Sequence, residues 1–179
     1  MAKALQRLFF ALWPENPVRD QLIVTVQQLQ KHVAARWIDP ENFHITLAFL
    51  GDVATGRLPD LNQAAEAVSS VCLELSLDRI EHWRKAQVIC LTPSANSPVL
   101  AQLAADLTNQ LRLNGFALET RPFRAHLTLA RKATDPRMAF CLEQPIRWTS
   151  SAFVLVASSP ISQYTILQSW PLREPVRQC

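Results

Sequence analysis

The stretch "FHITLAFLG", residues 43–51, combines a strand pattern with a pair of polar, reactive side chains. Apolar residues alternate with His44 and Thr46 along it, as expected for a half-buried strand. The segment "AHLTLAR", residues 125–131, repeats the same order far downstream. In each segment the histidine and threonine are two residues apart, so both side chains project from one face, roughly 6.5–7 Å apart along the strand. The sequence therefore predicts two strands that each present one imidazole and one hydroxyl.

Two imidazoles and two hydroxyls form a set that suits phosphoryl transfer. His44 and His126 can act as general acid and general base, because the ordinary pKa of histidine is about 6.5. The hydroxyls of Thr46 and Thr128 can hold the non-bridging oxygens of a phosphate between them. A single histidine on a strand is more often a half-buried residue with a structural hydrogen bond. The repeat of the whole four-residue pattern favours the catalytic interpretation.

Metal motifs and nucleotide-binding loops are missing from the sequence. No HExxH or DxD motif and no carboxylate at ligand spacing accompanies either segment, which predicts a site without a metal ion. The other histidines, His32 and His82, lack ligand-like spacing and are assigned to surface or helix-end positions. The glycines are Gly51, Gly56 and Gly115, which excludes both a P-loop and a GxGxxG fingerprint. Side chains would therefore bind any phosphate, and no cofactor is expected.

The composition is that of an ordinary globular domain. The 179 residues are 49% hydrophobic and 18% charged, with a net charge of +3. No polar linker divides them, so a single domain over residues 1–179 is predicted. No apolar run approaches the roughly 18 residues that span a bilayer, and the run at residues 8–13 is too short for a signal peptide. The cysteines show no CxxC spacing, which predicts free thiols in a cytoplasmic protein: Cys72, Cys90, Cys141 and Cys179.

Hydrophobic periodicity predicts a mixed order of strands and helices. Strands are expected over residues 7–13, 44–50, 71–77, 86–91, 125–131, 152–158 and 163–168. Helices are expected from Asn16, over residues 58–71, and from Ser97 to near Gly115, each with apolar side chains three or four residues apart. This order indicates the α+β class, with helices packed on largely antiparallel sheets.

The paired motifs resemble those of the 2H phosphoesterase superfamily. Within it the chain is similar to the RNA 2′,3′-cyclic phosphodiesterases, which are also called 2′-5′ RNA ligases. The similarity rests on four segments: "RLFFAL" at residues 7–12, "FHITLAFLG" at 43–51, "RPFRAHLTLAR" at 121–131 and "YTIL" at 164–167. It spans nearly the whole chain.

The resemblance implies both a fold and a division of roles. It implies two pseudo-symmetric lobes, each an antiparallel sheet backed by helices, with a central cleft between them. His44 would be the proton donor, His126 the proton acceptor that activates water, and Thr46 and Thr128 would bind the phosphate. The substrate would be a 2′,3′-cyclic phosphate at an RNA end, or a small cyclic nucleotide, opened to a 2′-phosphomonoester. Two alternatives stay open: 2′-5′ joining of RNA ends at the same site, and a nucleotide- or RNA-binding protein without turnover.

Two further residues are candidates for substrate binding. Arg131 could contact phosphate or a neighbouring nucleotide, although strict alternation from His126 places it on the other face unless a twist or bulge re-aims it. Phe9 and Phe10 alternate, so one of them is expected to face the cleft, where a ring can stack a base. Phe10 is the candidate, and burial of both is the alternative. The uncharged segment "SSPISQY", residues 158–164, indicates a weak grip on long RNA, and a monomer without an obligate protein partner is expected.

Overall fold

The named strands in the described part of the chain join into one antiparallel sheet. The structure, a computed structural model, describes residues 4–134, 139–159 and 163–173. Within them the strands are β1 (Leu5–Leu12), β2 (Arg36–Trp37), β3 (Ile45–Ala54), β4 (Leu73–Trp83), β5 (Val88–Thr92), β6 (Leu127–Arg131), β7 (Ala139–Ser150), β8 (Ala152–Ser158) and β9 (Tyr164–Pro171). The α-helices are α1 (Asn16–Gln30), α2 (Leu58–Glu66) and α3 (Pro98–Leu113). The predicted α+β class is confirmed.

Two halves of the sheet meet at the paired histidine segments. The strand order is β7-β4-β5-β6-β3-β1-β8-β9, and β2 pairs with β6 beside this row. The pairs between these strands are all antiparallel. Strands β3 and β6 are joined through one register pair, Ile45 opposite Leu127, with four strands of the row on either side of this joint. The two pseudo-symmetric lobes, the central cleft and the single domain over residues 1–179 stay predictions.

The longer helices follow the predicted periodicity. Helix α1 has Pro17 in its first turn, and its apolar stripe is buried: Val18, Leu22, Val26 and Leu29. Ser97 accepts a hydrogen bond from the N–H of Leu100 and so caps α3. Helix α3 packs against α2 and β3, whereas α1 packs against β7. Gly115 follows α3 with a φ of +77°, a left-handed conformation that suits glycine at a helix end.

Strand β3 continues through Gly51 instead of ending there. The register against β1 shifts between Leu8 and Phe9, which leaves Leu50 as the extra residue of a β-bulge. Gly51 has a φ of +69°, so it supports this bulge in a conformation that other residues rarely adopt. The predicted strand end at this glycine is therefore wrong.

The sequence pattern misses strands β2 and β7. Strand β7 contains Glu143, Pro145 and Arg147 among its apolar residues, and these interrupt any clean alternation. It lies at the edge of the sheet, where proline is tolerated because one side of the strand has no partner. Strand β2 has only two residues, too few to show an alternation of apolar and polar side chains.

The described residues also bear on the thiol and membrane predictions. Cys72, Cys90 and Cys141 are free thiols, and Cys179 lies outside the described residues. None of the helices in the described part of the chain is long and apolar enough to span a membrane.

Candidate active site

The two histidine segments lie at the joint between the halves of the sheet. His44 immediately precedes β3, and His126 immediately precedes β6. Ile45 lies opposite Leu127 in the antiparallel pair of β3 and β6. One residue further along this pairing, His44 is opposite Thr128. One residue in the other direction, Thr46 is opposite His126. All four side chains are half-buried, whereas the residues between them belong to the fully buried core. The fold thus brings together the four residues that the two motifs single out.

A β-bulge follows each histidine–threonine pair. The register of β3 against β1 shifts at Leu47, and the register of β6 against β5 shifts at Leu129. Both leucines and the alanines after them are buried, so the next side chain returns to the face of the histidines. In β6 that next residue is Arg131, which is exposed. The bulge therefore turns Arg131 toward the site, against strict alternation.

Each histidine ring is held by the backbone two residues before it. Nδ1 of His44 lies 2.7 Å from the carbonyl oxygen of Asn42. Nδ1 of His126 lies 2.8 Å from the carbonyl oxygen of Arg124. A carbonyl oxygen only accepts, so Nδ1 is the protonated nitrogen and the donor in both rings. Nε2 is therefore the nitrogen that can exchange a proton with a substrate.

Aromatic side chains enclose His44. The ring of Trp13 stacks on the imidazole, with centroids 5.4 Å apart and planes 7° apart. The ring of Phe9 lies 4.9 Å from it, and Tyr164 presents an edge at 5.4 Å. Rings packed this closely displace water, which disfavours a charge on the imidazole.

Burial dominates the proton affinity of both histidines. Burial lowers the pKa of His44 to about 4, although the hydrogen bond to the Asn42 carbonyl acts in the opposite direction and raises it. The positive charges of His126 and Arg131 lower this pKa further. Burial also lowers the pKa of His126, although the hydrogen bond to the Arg124 carbonyl raises it. The positive charges of Arg124 and Arg131 lower this pKa as well. In the unliganded site both rings are thus mainly neutral near pH 7.

Phe9, and not Phe10, is the phenylalanine of this site. Phe10 is 0% exposed and packs its ring against Phe153 and Trp170 in the main core. The prediction that Phe10 stacks a base is therefore wrong, because its position on β1 points into the core. Phe9 is 4% exposed and lies against His44, so it supports the imidazole more than it offers free surface.

A carboxylate organises the surroundings of His126. The ring of Trp83 lies 4.6 Å from the imidazole, and the guanidinium of Arg124 lies 4.7 Å from the centre of the Trp83 ring. Glu81 accepts hydrogen bonds from Trp83 Nε1 at 2.8 Å and from the Arg124 side chain. The hydroxyl of Thr92 donates to the same carboxylate at 3.3 Å. Burial alone would raise the pKa of Glu81, but these donors outweigh it and lower the pKa, so the group stays ionised. Neither motif signals this residue.

Replacing Glu81 by alanine is expected to lower the free energy of unfolding by roughly 1–3 kcal/mol, because the partly buried N–H of Trp83 loses its acceptor, whereas the hydroxyl of Thr92 keeps the carbonyl of Arg79 at 3.3 Å. The loss of the exposed Arg124 ion pair adds little to this figure. For a chain of this length each kcal/mol corresponds to about 2–4 °C in Tm, which calorimetry resolves. The matched control is Glu74→Ala, an exposed glutamate on the same strand. Equal losses in the two variants would contradict the organising role.

Cys90 lies beside the site as a neutral thiol. It is 0% exposed, pairs with Thr128 in the register of β5 and β6, and shares a hydrogen bond with that threonine side chain. Burial raises the pKa of Cys90 to about 12, against that hydrogen bond. Because the thiolate is the nucleophilic form, this residue contributes packing and not nucleophilic chemistry.

The remaining histidines lie away from the paired motifs. His32 is exposed just after α1, as predicted. His82 is half-buried within β4, and its Nε2 donates to the carbonyl of Ala133 at 3.1 Å, so its assignment to the surface or a helix end is wrong. Within residues 4–134, 139–159 and 163–173, no three His, Cys, Asp or Glu side chains lie together as a metal site would require.

A cavity of about 720 Å³ opens beside the histidine pair. Its lining includes Arg36, Trp37, Arg131 and Tyr164. Tyr164 is also one of the rings around His44, so the cavity and the histidine site share a wall. A volume of this size is within the range of small-molecule sites, roughly 300–1,000 Å³.

Comparison with known proteins identifies close structural and sequence relatives. A family model described as LigT like Phosphoesterase matches residues 12–90 and 91–155. The chain is 32% identical to the RNA 2′,3′-cyclic phosphodiesterase of Escherichia coli strain K12, over 94% of this chain and 98% of that protein. It is similar to the crystal structure of E. coli LigT complexed with 3′-AMP, with a TM-score of 0.86 at 31% identity, covering 94% of this chain and 99% of that one. It is also similar to E. coli LigT complexed with ATP, with a TM-score of 0.82 at 30% identity, covering 95% and 99%. The chain therefore belongs to the LigT-like phosphoesterase family.

Proposed function

We propose that this chain is a phosphodiesterase that opens the terminal 2′,3′-cyclic phosphate of RNA, or of a small cyclic nucleotide, to a 2′-phosphomonoester. The observation that carries the proposal is the placement of two imidazoles on adjoining strands, each with Nδ1 bonded to the backbone and Nε2 left for the substrate. Relatives named RNA 2′,3′-cyclic phosphodiesterase support the same substrate class. The relatives solved with 3′-AMP and with ATP support nucleotide binding.

In the proposed reaction the two histidines act on opposite sides of the phosphorus. Nε2 of His126 accepts a proton from water as the water oxygen attacks phosphorus. The bond between phosphorus and O3′ breaks, and Nε2 of protonated His44 gives its proton to O3′. The products are a 2′-phosphomonoester and a 3′-hydroxyl. His126 is then protonated and His44 neutral, so exchange with solvent restores the starting state.

The hydroxyls and the guanidinium stabilise the phosphate. Thr46 and Thr128 donate hydrogen bonds to the non-bridging oxygens, which carry the negative charge. Arg131 lies close enough to lower the pKa of both histidines, so its charge also reaches a phosphate bound between them. That charge balances the negative charge that grows as water adds to phosphorus.

Binding of the substrate prepares the proton donor. The pKa of His44 is about 4 in the unliganded site, so this ring alone is neutral near pH 7. A cyclic phosphate diester brings one negative charge, and a nearby anion favours the protonated form of histidine. The bound substrate therefore raises the pKa of His44 and of His126. Donor protonation and substrate binding are coupled.

The pH dependence of the reaction follows from this coupling. Because kcat/KM reports the free site, both limbs of its bell-shaped profile are expected below the ordinary histidine pKa of about 6.5. The kcat profile reports the complex, so both of its limbs are expected at higher pH. Steady-state rates between pH 3 and pH 9, checked by NMR titration of the two imidazoles, measure the difference. A kcat/KM bell centred above pH 7 would contradict the burial effect.

Turnover of uridine 2′,3′-cyclic phosphate tests the proposal against binding without catalysis. Hydrolysis is expected, and it is expected to survive exhaustive chelation, because two histidine side chains alone leave a metal ion without its remaining ligands. Binding without turnover would overturn the proposed function. A rate that collapses with chelator and returns with a divalent metal would overturn the metal-free route. Adding an RNA with a 5′-hydroxyl measures 2′-5′ ligation as a competing product.

We also propose a monomeric, cytoplasmic enzyme without an obligate protein partner. The free thiols of Cys72, Cys90 and Cys141 support a reducing compartment. Sedimentation at assay concentration, compared with the activity per chain, tests the monomer.

A further inference from the structure

Two arginines lie side by side at the outer end of the second motif. Arg36 of β2 is directly opposite Arg131 of β6 in the antiparallel register, and both side chains are exposed. Like charges placed directly opposite each other destabilise a pair of strands. Among the described residues neither arginine forms an ion pair, whereas Arg19, Arg57, Arg121 and Arg124 each have a carboxylate partner. Such an uncompensated pair is typical of a site that receives an anion.

The two arginines line the cavity that adjoins the histidine pair. Tyr164 lines the same cavity and contacts the ring of His44. The charge of Arg131 lowers the pKa of both catalytic histidines, so this arginine is the nearer of the two to the reacting phosphate. Arg36 lies one strand further out. An anion at Arg36 is therefore separate from the reacting phosphate and close to it.

Carboxylates in the cavity wall do not neutralise the arginines. Asp39 uses its side chain to accept the N–H of Glu41 at 3.0 Å. Glu41 pairs with Arg19 at 3.0 Å. In the described part of the chain neither carboxylate forms an ion pair with Arg36 or Arg131, so both guanidinium groups can bind the anion of a ligand.

We propose that Arg36 binds the phosphate on the 5′ carbon of the terminal nucleotide, which in RNA is the phosphodiester to the preceding nucleotide. This inference rests on the proposed function and deepens it, because it makes an RNA end, and not a cyclic mononucleotide, the preferred substrate. Arg131 serves the terminal phosphate, and Arg36 serves the next phosphate along the strand.

A double comparison isolates this contact. One substrate is UpU ending in a 2′,3′-cyclic phosphate, and the other is the same molecule with a neutral methylphosphonate in place of the internal phosphodiester. For the unmodified enzyme the neutral linkage is expected to lower kcat/KM roughly 10-fold, the effect of one charge-assisted hydrogen bond. Arg36→Gln is expected to lower kcat/KM by about the same factor on the natural linkage. On the neutral linkage its kcat/KM is expected to equal that of the unmodified enzyme. The control Arg147→Gln removes an exposed arginine from edge strand β7 and is expected to behave like the unmodified enzyme.

The outcomes separate the inference from the proposed function. The role of Arg36 would be overturned if Arg36→Gln lowered kcat/KM equally on the charged and the neutral linkage. It would also be overturned if the unmodified enzyme had the same kcat/KM on both linkages. If no substrate with a cyclic phosphate is turned over, the proposed function fails. Calorimetric Kd values for the same two molecules and the same variants then decide the Arg36 contact on their own. If uridine 2′,3′-cyclic phosphate bearing a 5′-phosphate has the same kcat/KM as UpU ending in a cyclic phosphate, the phosphate contact of Arg36 is supported, but the preference for an RNA end over a mononucleotide is overturned.

Discussion

Replacing His126 by alanine is expected to lower kcat/KM for a 2′,3′-cyclic phosphate by roughly 10²–10⁴-fold, the range typical for the loss of a general base. The attacking water then has no imidazole to take its proton. His44→Ala is expected to fall in the same range, because O3′ leaves without a proton donor. Steady-state rates on uridine 2′,3′-cyclic phosphate measure both losses.

Three variants provide the controls for these losses. His32→Ala removes an exposed histidine just after α1 and is expected to keep full activity. Thr46→Ala and Thr128→Ala are expected to lose less than the histidine variants, because one neutral hydrogen bond contributes about 0.5–1.5 kcal/mol. A larger loss for Thr46→Ala than for His44→Ala would contradict the assigned division of labour.

A substrate with sulfur in place of O3′ is expected to rescue His44→Ala and not His126→Ala. A thiolate is a stable leaving group without protonation, so the general acid matters less. His44→Ala is expected to recover most of its roughly 10²–10⁴-fold defect on this substrate. Water still needs a base, so His126→Ala stays impaired. The ratio of kcat/KM for the oxygen and sulfur substrates, measured for each variant, gives the result.

This experiment also tests whether His44 can be the proton donor although its pKa is low in the unliganded site. In the free protein burial lowers the pKa of both histidines, that of His44 to about 4, so neither ring is mainly protonated near pH 7. The assignment of His44 as donor thus depends on substrate binding to raise its pKa. Rescue of His126→Ala instead of His44→Ala would reverse the roles. Rescue of neither would indicate that both rings stabilise charge without moving protons.

The four central residues could be predicted because strand alternation is a local property. His44 and Thr46 share one face by their spacing alone, and the same holds for His126 and Thr128. Their meeting at the joint of the sheet depends on one pairing between strands that are distant in the sequence. The repeat of the motif signalled that pairing, although neither motif determines its register.

The orientation of Arg131, the choice between Phe9 and Phe10 and the role of Glu81 depend on tertiary structure, so the sequence alone could not decide them. Arg131 reaches the face of the histidines through a bulge, which arises from the unequal register of β5 and β6. Phe9 and Phe10 are equivalent in composition, and only the packing of β1 against Phe153 and Trp170 decides which one is in the core. Glu81 acts through contacts with distant residues and carries no motif of its own.

The regiochemistry of hydrolysis shows whether the two histidines open the cyclic phosphate at its bond to O3′. A short RNA ending in a 2′,3′-cyclic phosphate is incubated with the enzyme in oxygen-labelled water and excess chelator, and the products are resolved by mass spectrometry and phosphorus NMR. The expected product is a 2′-phosphomonoester with one labelled oxygen on phosphorus and an unlabelled 3′-hydroxyl. A 3′-phosphomonoester would contradict the proposed cleavage of the bond between phosphorus and O3′, and an unchanged cyclic phosphate that the protein nevertheless binds would contradict catalysis itself.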